Sequence, residues 1–287
     1  MSDRLRRSVL YVPATNLKAL EKARSLRADA IIIDLEDSVA PAGKEEARRQ
    51  AIEVLSAGWF SGRQVVLRVN GLTTTWGETD FAAAVKSAAD AILVPKVSSV
   101  SDLVRIRSAL RGSPGREIWA MLETPSAMLR ALEIAEGRLH VLPELKVLVI
   151  GTNDLAKDTR AVIRPGRANY LPWLMTCVAA ARTAGLDILD GVYNNFRDQE
   201  GFEAECLQGR DLGMDGKTLI HPGQIEAADR IFSPTGEEIE WARKVCSAFD
   251  DPRNSGAGVL NIEGKMVERL HSEMARRVLD MSRACLA

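Results

Sequence analysis

The sequence has no C-x-x-C pair. Its four cysteines, Cys177, Cys206, Cys246 and Cys285, are scattered, which argues against a structural zinc site and a dense disulfide framework and for a reducing, cytoplasmic setting. Long apolar runs are missing as well. Pro13 interrupts Val9-Leu10-Tyr11-Val12 well short of a signal-peptide core, and no segment approaches the roughly 20 apolar residues that span a membrane. Charge of one sign is not in excess: 38 Lys and Arg stand against 39 Asp and Glu. No global field therefore favours nucleic acid or an anionic membrane, and an anionic ligand must be held by local charges. Nor does any Gly/Ser-rich linker break the chain before residue 250.

What is present is a repeated strand-then-helix pattern in 287 residues, 46% of them hydrophobic and 27% charged, the composition of a soluble protein with an ample core. Ser8-Val9-Leu10-Tyr11-Val12 reads as a strand, and residues 16–27 carry Leu17, Leu20, Ala23 and Leu26 at helical spacing. Further strands are expected near 30–35, 64–70, 91–97, 118–123, 147–152, 187–193 and 217–221, each followed by a helical period. Eight such units of about 30 residues predict a TIM (β/α)8 barrel over residues 1–249 rather than two doubly wound domains. Residues 250–287 read as a linker, a hairpin turning at Glu263-Gly264 and an amphipathic helix with Leu270, Met274 and Val278 on one face. So short an appendage cannot support its own core and is expected to act as a lid on its own or a neighbouring barrel.

Two of the strands carry the functional signal. Ile118-Trp119-Ala120-Met121-Leu122 ends on Glu123, and Val147-Leu148-Val149-Ile150 runs on to Asp154. In a parallel barrel those ends share the face where chemistry sits, so the two acids should converge on a hard-oxygen site suited to Mg2+ or Mn2+ rather than zinc. Each acid can also be read as a mere cap of the helix that follows. Asp34, Glu36, Asp37, Arg68, Asn70, Lys96, Tyr193, Asn194 and His221 mark the other strand ends. For one strand, polar residues only mark where the core stops; for eight together they form the ring expected around a metal and an anionic substrate. His221, in its Ile-His-Pro setting, is expected to be buried in a structural hydrogen-bonding role.

Seven ordered segments together carry a resemblance. They are Ser8-Val9-Leu10-Tyr11-Val12-Pro13, Asp34-Leu35-Glu36-Asp37-Ser38-Val39, Lys44 with Ala47-Arg48, Leu67-Arg68-Val69-Asn70, Leu122-Glu123-Thr124, Gly151-Thr152-Asn153-Asp154-Leu155, and the run from Gly213 to Gln224. In this order they resemble the citrate lyase β-subunit-like proteins, the group of the malyl-CoA and citramalyl-CoA lyases within the HpcH/HpaI aldolase superfamily. The resemblance covers essentially the whole chain.

It implies a Mg2+-dependent (or Mn2+-dependent) carbon–carbon lyase acting on a 3-hydroxyacyl thioester through an enolate, in a homotrimer or larger assembly. It implies Glu123 and Asp154 as metal ligands, Glu36 and Asp37 beside the metal and its waters, and Arg68 at the substrate carbonyl. It further implies a base in the C-terminal hairpin, where the family's aspartate is replaced here by Glu268, one methylene longer. Glu268 can also be read as a first-turn helix acid. Tyr11, Lys18, Lys44, Arg48 and Asn70 are candidates to meet substrate or the phosphates of coenzyme A, although Lys44 and Arg48 also fit a solvated helix face. Where the family often continues Asp-Leu-x-x-Asp-Leu-Gly, this chain has Asp154 through Thr159 and then Arg160. The expected partner molecules are a CoA or acyl-carrier thioester. Two rivals stay open: a class II pyruvate aldolase acting on free keto acids, and a carrier-dependent or non-catalytic citrate lyase subunit.

Overall fold

The computed structural model describes residues 4–110 and 115–286. It divides into a first unit running from Arg6 to Asp229 and a second from Arg230 onward. The first is a closed parallel barrel of eight strands: β1 (Ser8–Pro13), β2 (Ala30–Asp34), β3 (Gln64–Arg68), β4 (Ala91–Val94), β5 (Glu117–Leu122), β6 (Leu145–Ile150), β7 (Asp187–Asp190) and β8 (Gly216–Leu219). Helices follow the strands, and β1 closes the ring on β8. Because strand side chains alternate between faces, every second residue fills the interior. Val9, Ala30, Ile32, Val66, Ala91, Leu93, Trp119, Met121, Val147, Val149 and Leu189 form that plug, with Tyr11 packed against it. The other parity faces the helices, and β2 and β3 are buried along their whole length.

At the N-terminal end the barrel is stoppered by polar side chains. The buried Arg6 donates to Gln64 (2.9 Å), pairs with Glu117 (2.9 Å) and Asp187, and lies 5.3 Å over the Trp119 ring. The C-terminal end is left for the site. There the register sets Pro13 beside Asp34 and Asp34 beside Arg68, so the last inward-facing residues of β2 and β3 are direct neighbours.

In the second unit the helix Gly236–Asp250 opens on a capping box made by Thr235 and Glu238. It shares a core with the antiparallel hairpin β9 (Val259–Ile262) and β10 (Lys265–Glu268) and the helix Arg269–Leu286. The hairpin turns where expected, with φ of 52° at Glu263 and 80° at Gly264, the paired left-handed residues of a two-residue turn. The terminal helix matches the expected amphipathic helix, but its core-facing strip is displaced. Ser272 and Ala275, with Val278 and Leu279, face the core, whereas Leu270 and Met274 are exposed. Of the predicted stripe, Val278 packs against Gly236–Asp250, and the neighbouring strip of Ser272, Ala275 and Leu279 completes the contact.

Candidate active site

The strand-end side chains line a cavity of ≈ 370 Å³ bounded in part by Tyr11, Asp34, Asp37, Arg68, Glu123 and Asp154. Glu123 is the first residue after β5 and is 1% exposed. It is not a helix cap: Thr124 takes that role for Pro125–Leu129 by accepting from Ala127 N. Asp154 projects from the first turn of the helix Thr152–Thr159, opened by Gly151. A Cβ at Gly151 would stand 2.4 Å from Glu123 Cβ and 2.5 Å from Glu123 Oε2. Only glycine lets the segment carrying Asp154 lie against the Glu123 carboxylate. The helix ends at Arg160, whose φ of 59° is left-handed at the position where the resembling segment has glycine.

Arg68 is locked from below and from the side. Its Nε and Nη2 donate to the two oxygens of Asp34 at 2.6 and 2.7 Å, and its guanidinium lies 4.7 Å over the Tyr11 ring. Burial works to raise the Asp34 carboxyl, but the Arg68 charge and hydrogen bonds outweigh it and hold Asp34 ionised. Backbone N–H groups of Glu36 and Ser38 add to this. Nη1 of Arg68 lies 2.9 Å from Glu36 Oε2 and donates to Asp37 Oδ2 at 3.3 Å. Despite its proximity, Glu36 Oε2 forms no hydrogen bond. The Tyr11 hydroxyl is likewise buried without a partner, and burial raises its pKa.

Among the acids, burial pushes Glu123 up to about 8, reinforced by the charges of Glu36 and Asp154. Burial also raises Glu36 to about 7, partly opposed by Arg68. Two buried carboxyls raised this far lack sufficient positive charge, the condition a bound cation relieves. The donor set fits magnesium, which is content with one or two carboxylates and keeps several waters, and the orphaned Glu36 oxygen can accept from such water. Among the described residues no three or more His, Cys, Asp or Glu are grouped so as to hold a metal ion, so an ion here would rest on two carboxylates, water and substrate.

The structure does not bring every candidate to this cavity. Lys44 is buried rather than solvated: its ammonium donates to the carbonyls of Leu35 (2.9 Å) and Glu36 (2.8 Å). Arg48 pairs with the fully buried Asp80 at 2.8 Å, and Asn70 donates to Asp80 and to Leu35 O (2.9 Å). The solvated-face reading of Lys44 and Arg48 is corrected by these contacts: Lys44 braces the loop that carries Glu36, and Arg48 is held by Asp80. Lys18 is exposed on the helix Leu17–Ala23. Glu268 ends β10 in the second unit, half-buried, with its N–H donating to His271 Nδ1 at 2.9 Å. His221 is exposed, not buried as expected, because β8 stops at Leu219; its Nδ1 accepts from Gly223 N and its ring stacks on Phe196.

Sequence reasoning missed an ionic cluster on the other side of β7 and β8. Lys217 Nζ pairs with Asp190 (2.9 Å) and Glu205 (2.7 Å), and Arg167 Nη1 pairs with Asp190 (2.8 Å). Burial opposes the Asp190 charge, but Lys217 and Arg167 overcome it and keep the carboxyl below its ordinary value. The signal available in the sequence was a charged residue inside each short apolar strand, Asp190 in β7 and Lys217 in β8, since buried charges require partners.

The family described as HpcH/HpaI aldolase/citrate lyase matches residues 7–222, and a family of TIM-barrel carbon–carbon bond lyases matches residues 161–285. A (3S)-malyl-CoA thioesterase of Cereibacter sphaeroides is 48% identical over 281 residues, covering 98% of this chain and 96% of that protein. The citrate lyase subunit beta of Escherichia coli is 34% identical, covering 96% of this chain and 93% of that one. Among solved structures, the protein CitE of Mycobacterium tuberculosis in complex with magnesium, acetoacetate and coenzyme A superimposes with a TM-score of 0.80 at 26% identity, covering 100% of each chain.

Proposed function

The chain belongs to the HpcH/HpaI aldolase/citrate lyase family of metal-dependent carbon–carbon lyases, and from that premise we propose that it is a Mg2+-dependent enzyme of malyl-CoA-type thioesters. The observation that carries the proposal is Arg68: a guanidinium fixed by Asp34 at the mouth of the barrel, opening on the same cavity as Glu123 and Asp154. Glu123 and Asp154 would hold the ion, with Glu36 and Asp37 beside it. Bound there, Mg2+ supplies Lewis-acid polarisation of a chelated 2-oxo or 2-hydroxy acid group. Arg68 places positive charge where the thioester oxygen becomes an enolate oxyanion. In the cleavage direction a base removes the proton of the 3-hydroxyl, the adjacent C–C bond breaks, and its electron pair enters the thioester as an enolate. The oxygen left behind becomes the carbonyl of a 2-oxo acid.

Hydrolysis of the same thioester is a second reading, favoured by the 48%-identical malyl-CoA thioesterase. There water adds to the thioester carbonyl and coenzyme A leaves as the thiol. Incubating the pure protein and Mg2+ with malyl-CoA, citramalyl-CoA and citryl-CoA tests both. Acetyl-CoA with a 2-oxo acid is expected from one of the three; free CoA with an intact hydroxy acid assigns the thioesterase reaction instead. Absence of both product sets, or turnover undiminished by chelator, overturns the proposal.

Residues 250–287 are proposed as the lid, and Glu268 as the base, supplied to a neighbour's cavity in a homotrimer or larger assembly. Supporting this, Val259, Met266, Leu270 and Met274 are exposed large apolar residues of the second unit. Mixing Arg68→Ala with Glu268→Gln subunits, each inactive alone, is expected to restore part of the activity once subunits exchange. A mixture that stays dead after verified exchange removes the shared site.

A further inference from the structure

Lys96 follows β4 and occupies a backbone conformation that lysine seldom takes, with φ at 56°. Left-handed residues other than glycine, asparagine and aspartate are costly and persist where surrounding contacts over-determine them. Here three of those contacts lead to the acids. The Lys96 N–H donates to Glu123 Oε1 at 2.8 Å, while the Lys96 carbonyl accepts from Ser98 Oγ at 2.9 Å. The side-chain ammonium lies 3.6 Å from Glu36 Oε1 and 3.5 Å from Asp154 Oδ1. One residue between β4 and its helix therefore touches carboxylates carried by the ends of β2, β5 and β6.

We propose that Lys96 is the built-in counter-ion of the acid ring, a cation that holds Glu36 and Asp154 together and competes with the divalent ion for Asp154. The inference rests on the reading of Glu123 and Asp154 as the metal ligands. Two cations drawn to one carboxylate repel each other, and an ammonium this near weakens metal binding by Coulomb repulsion in a partly desolvated site. The stem of Lys96 is still 45% exposed at the side chain, so the ammonium can swing aside when the ion arrives. The intrinsic affinity for the ion is thus kept moderate. Tight binding requires the additional oxygens of a chelating substrate, which couples ion and substrate in one binding event.

The test is calorimetric titration of Mg2+ into metal-stripped protein, with thermal unfolding in chelator and in Mg2+. Lys96→Met is expected to bind Mg2+ about 10-fold tighter than the parent, to unfold at lower temperature in chelator, and to gain more from added Mg2+. Lys96→Gly, which relaxes the backbone while removing the charge, is expected to show the same gain in affinity, and Lys96→Arg to stay near the parent. Lys157 also lies 3.6 Å from Asp154, but its side chain is 74% exposed. Solvent screens it, so Lys157→Met is expected to change affinity by no more than about 2-fold. Unchanged or weaker Mg2+ binding in both Lys96→Met and Lys96→Gly overturns the inference, provided that Asp154→Asn abolishes binding. If Asp154→Asn leaves Mg2+ binding intact, the metal reading itself falls and takes this inference with it.

Discussion

Replacing Arg68 with alanine is expected to lower turnover of the active thioester about 100- to 1,000-fold, the usual cost of losing one preorganised oxyanion donor. The same change should destabilise the fold by about 3–5 kcal/mol, because Asp34 is 1% exposed and would be left as an unpaired buried charge. These two losses have different remedies. An Arg68→Ala, Asp34→Ala double variant removes the stranded charge and is expected to regain much of the thermal stability while remaining inactive. Arg68→Lys keeps a charge but not the fork that meets both Asp34 oxygens. Steady-state kinetics at saturating thioester, together with unfolding curves, separate the effects. Near-parental turnover in Arg68→Ala would show that the guanidinium serves the fold alone.

The second large effect concerns the ion. Glu123→Gln and Asp154→Asn are each expected to weaken Mg2+ binding by at least ~100-fold, beyond the roughly 10- to 100-fold that loss of an outer hydrogen-bond partner costs. Glutamine can still accept from the Lys96 N–H, so the fold should tolerate Glu123→Gln. The pH dependence follows from burial. Glu123 is raised from 4.5 to about 8 and Glu36 from 4.5 to about 7. Both protonated carboxyls therefore stabilise the fold below about pH 4.5, and that contribution is lost as the pH rises through about 7 and then about 8. In chelator, the parent protein should lose stability across that window, and Glu123→Gln should lose less. Added Mg2+ should reverse the loss on the alkaline side. A parent whose stability in chelator is flat between pH 5 and 9 would contradict this account of the buried acids.

The barrel itself was legible because its signal is local: short apolar runs at a steady spacing, each ending on a polar residue, describe parallel strands covered on both faces. Glu123, Asp154 and Arg68 were legible for the same reason, since the strand end alone fixes which mouth they face. What the sequence hid was pairing across the ring. Nothing near Lys44 marks it as the residue that ties down the Leu35 and Glu36 carbonyls, because that contact depends on how the helix Lys44–Ser56 returns over β2. The cluster of Arg167, Asp190, Glu205 and Lys217 joins four separate segments and becomes visible only once β7 and β8 are neighbours. The burial of His221 was misjudged by two residues of strand length, while its structural hydrogen-bonding role holds in the contact with Gly223 N. Leu270 and Met274 lie exposed on the predicted apolar stripe, because helical period identifies a stripe without saying which partner will cover it.

The closure of β1 on β8 carries a kinetic meaning. The residues that would act together are drawn from points far apart along the chain, from Tyr11 in the first strand to Asp154 beyond the sixth, and no consecutive pair of strand units contains them all. Such pairings are late events for a nascent chain, since loop-closure entropy must be met before the distant contacts return anything. Glu123 and Asp154 meet as β5 pairs with β6, whereas Glu36, at the end of β2, joins them only as the sheet curls round. The full repulsion among Glu36, Glu123 and Asp154 arises only when the ring shuts, which makes the final step of assembly the one most sensitive to the supply of cations.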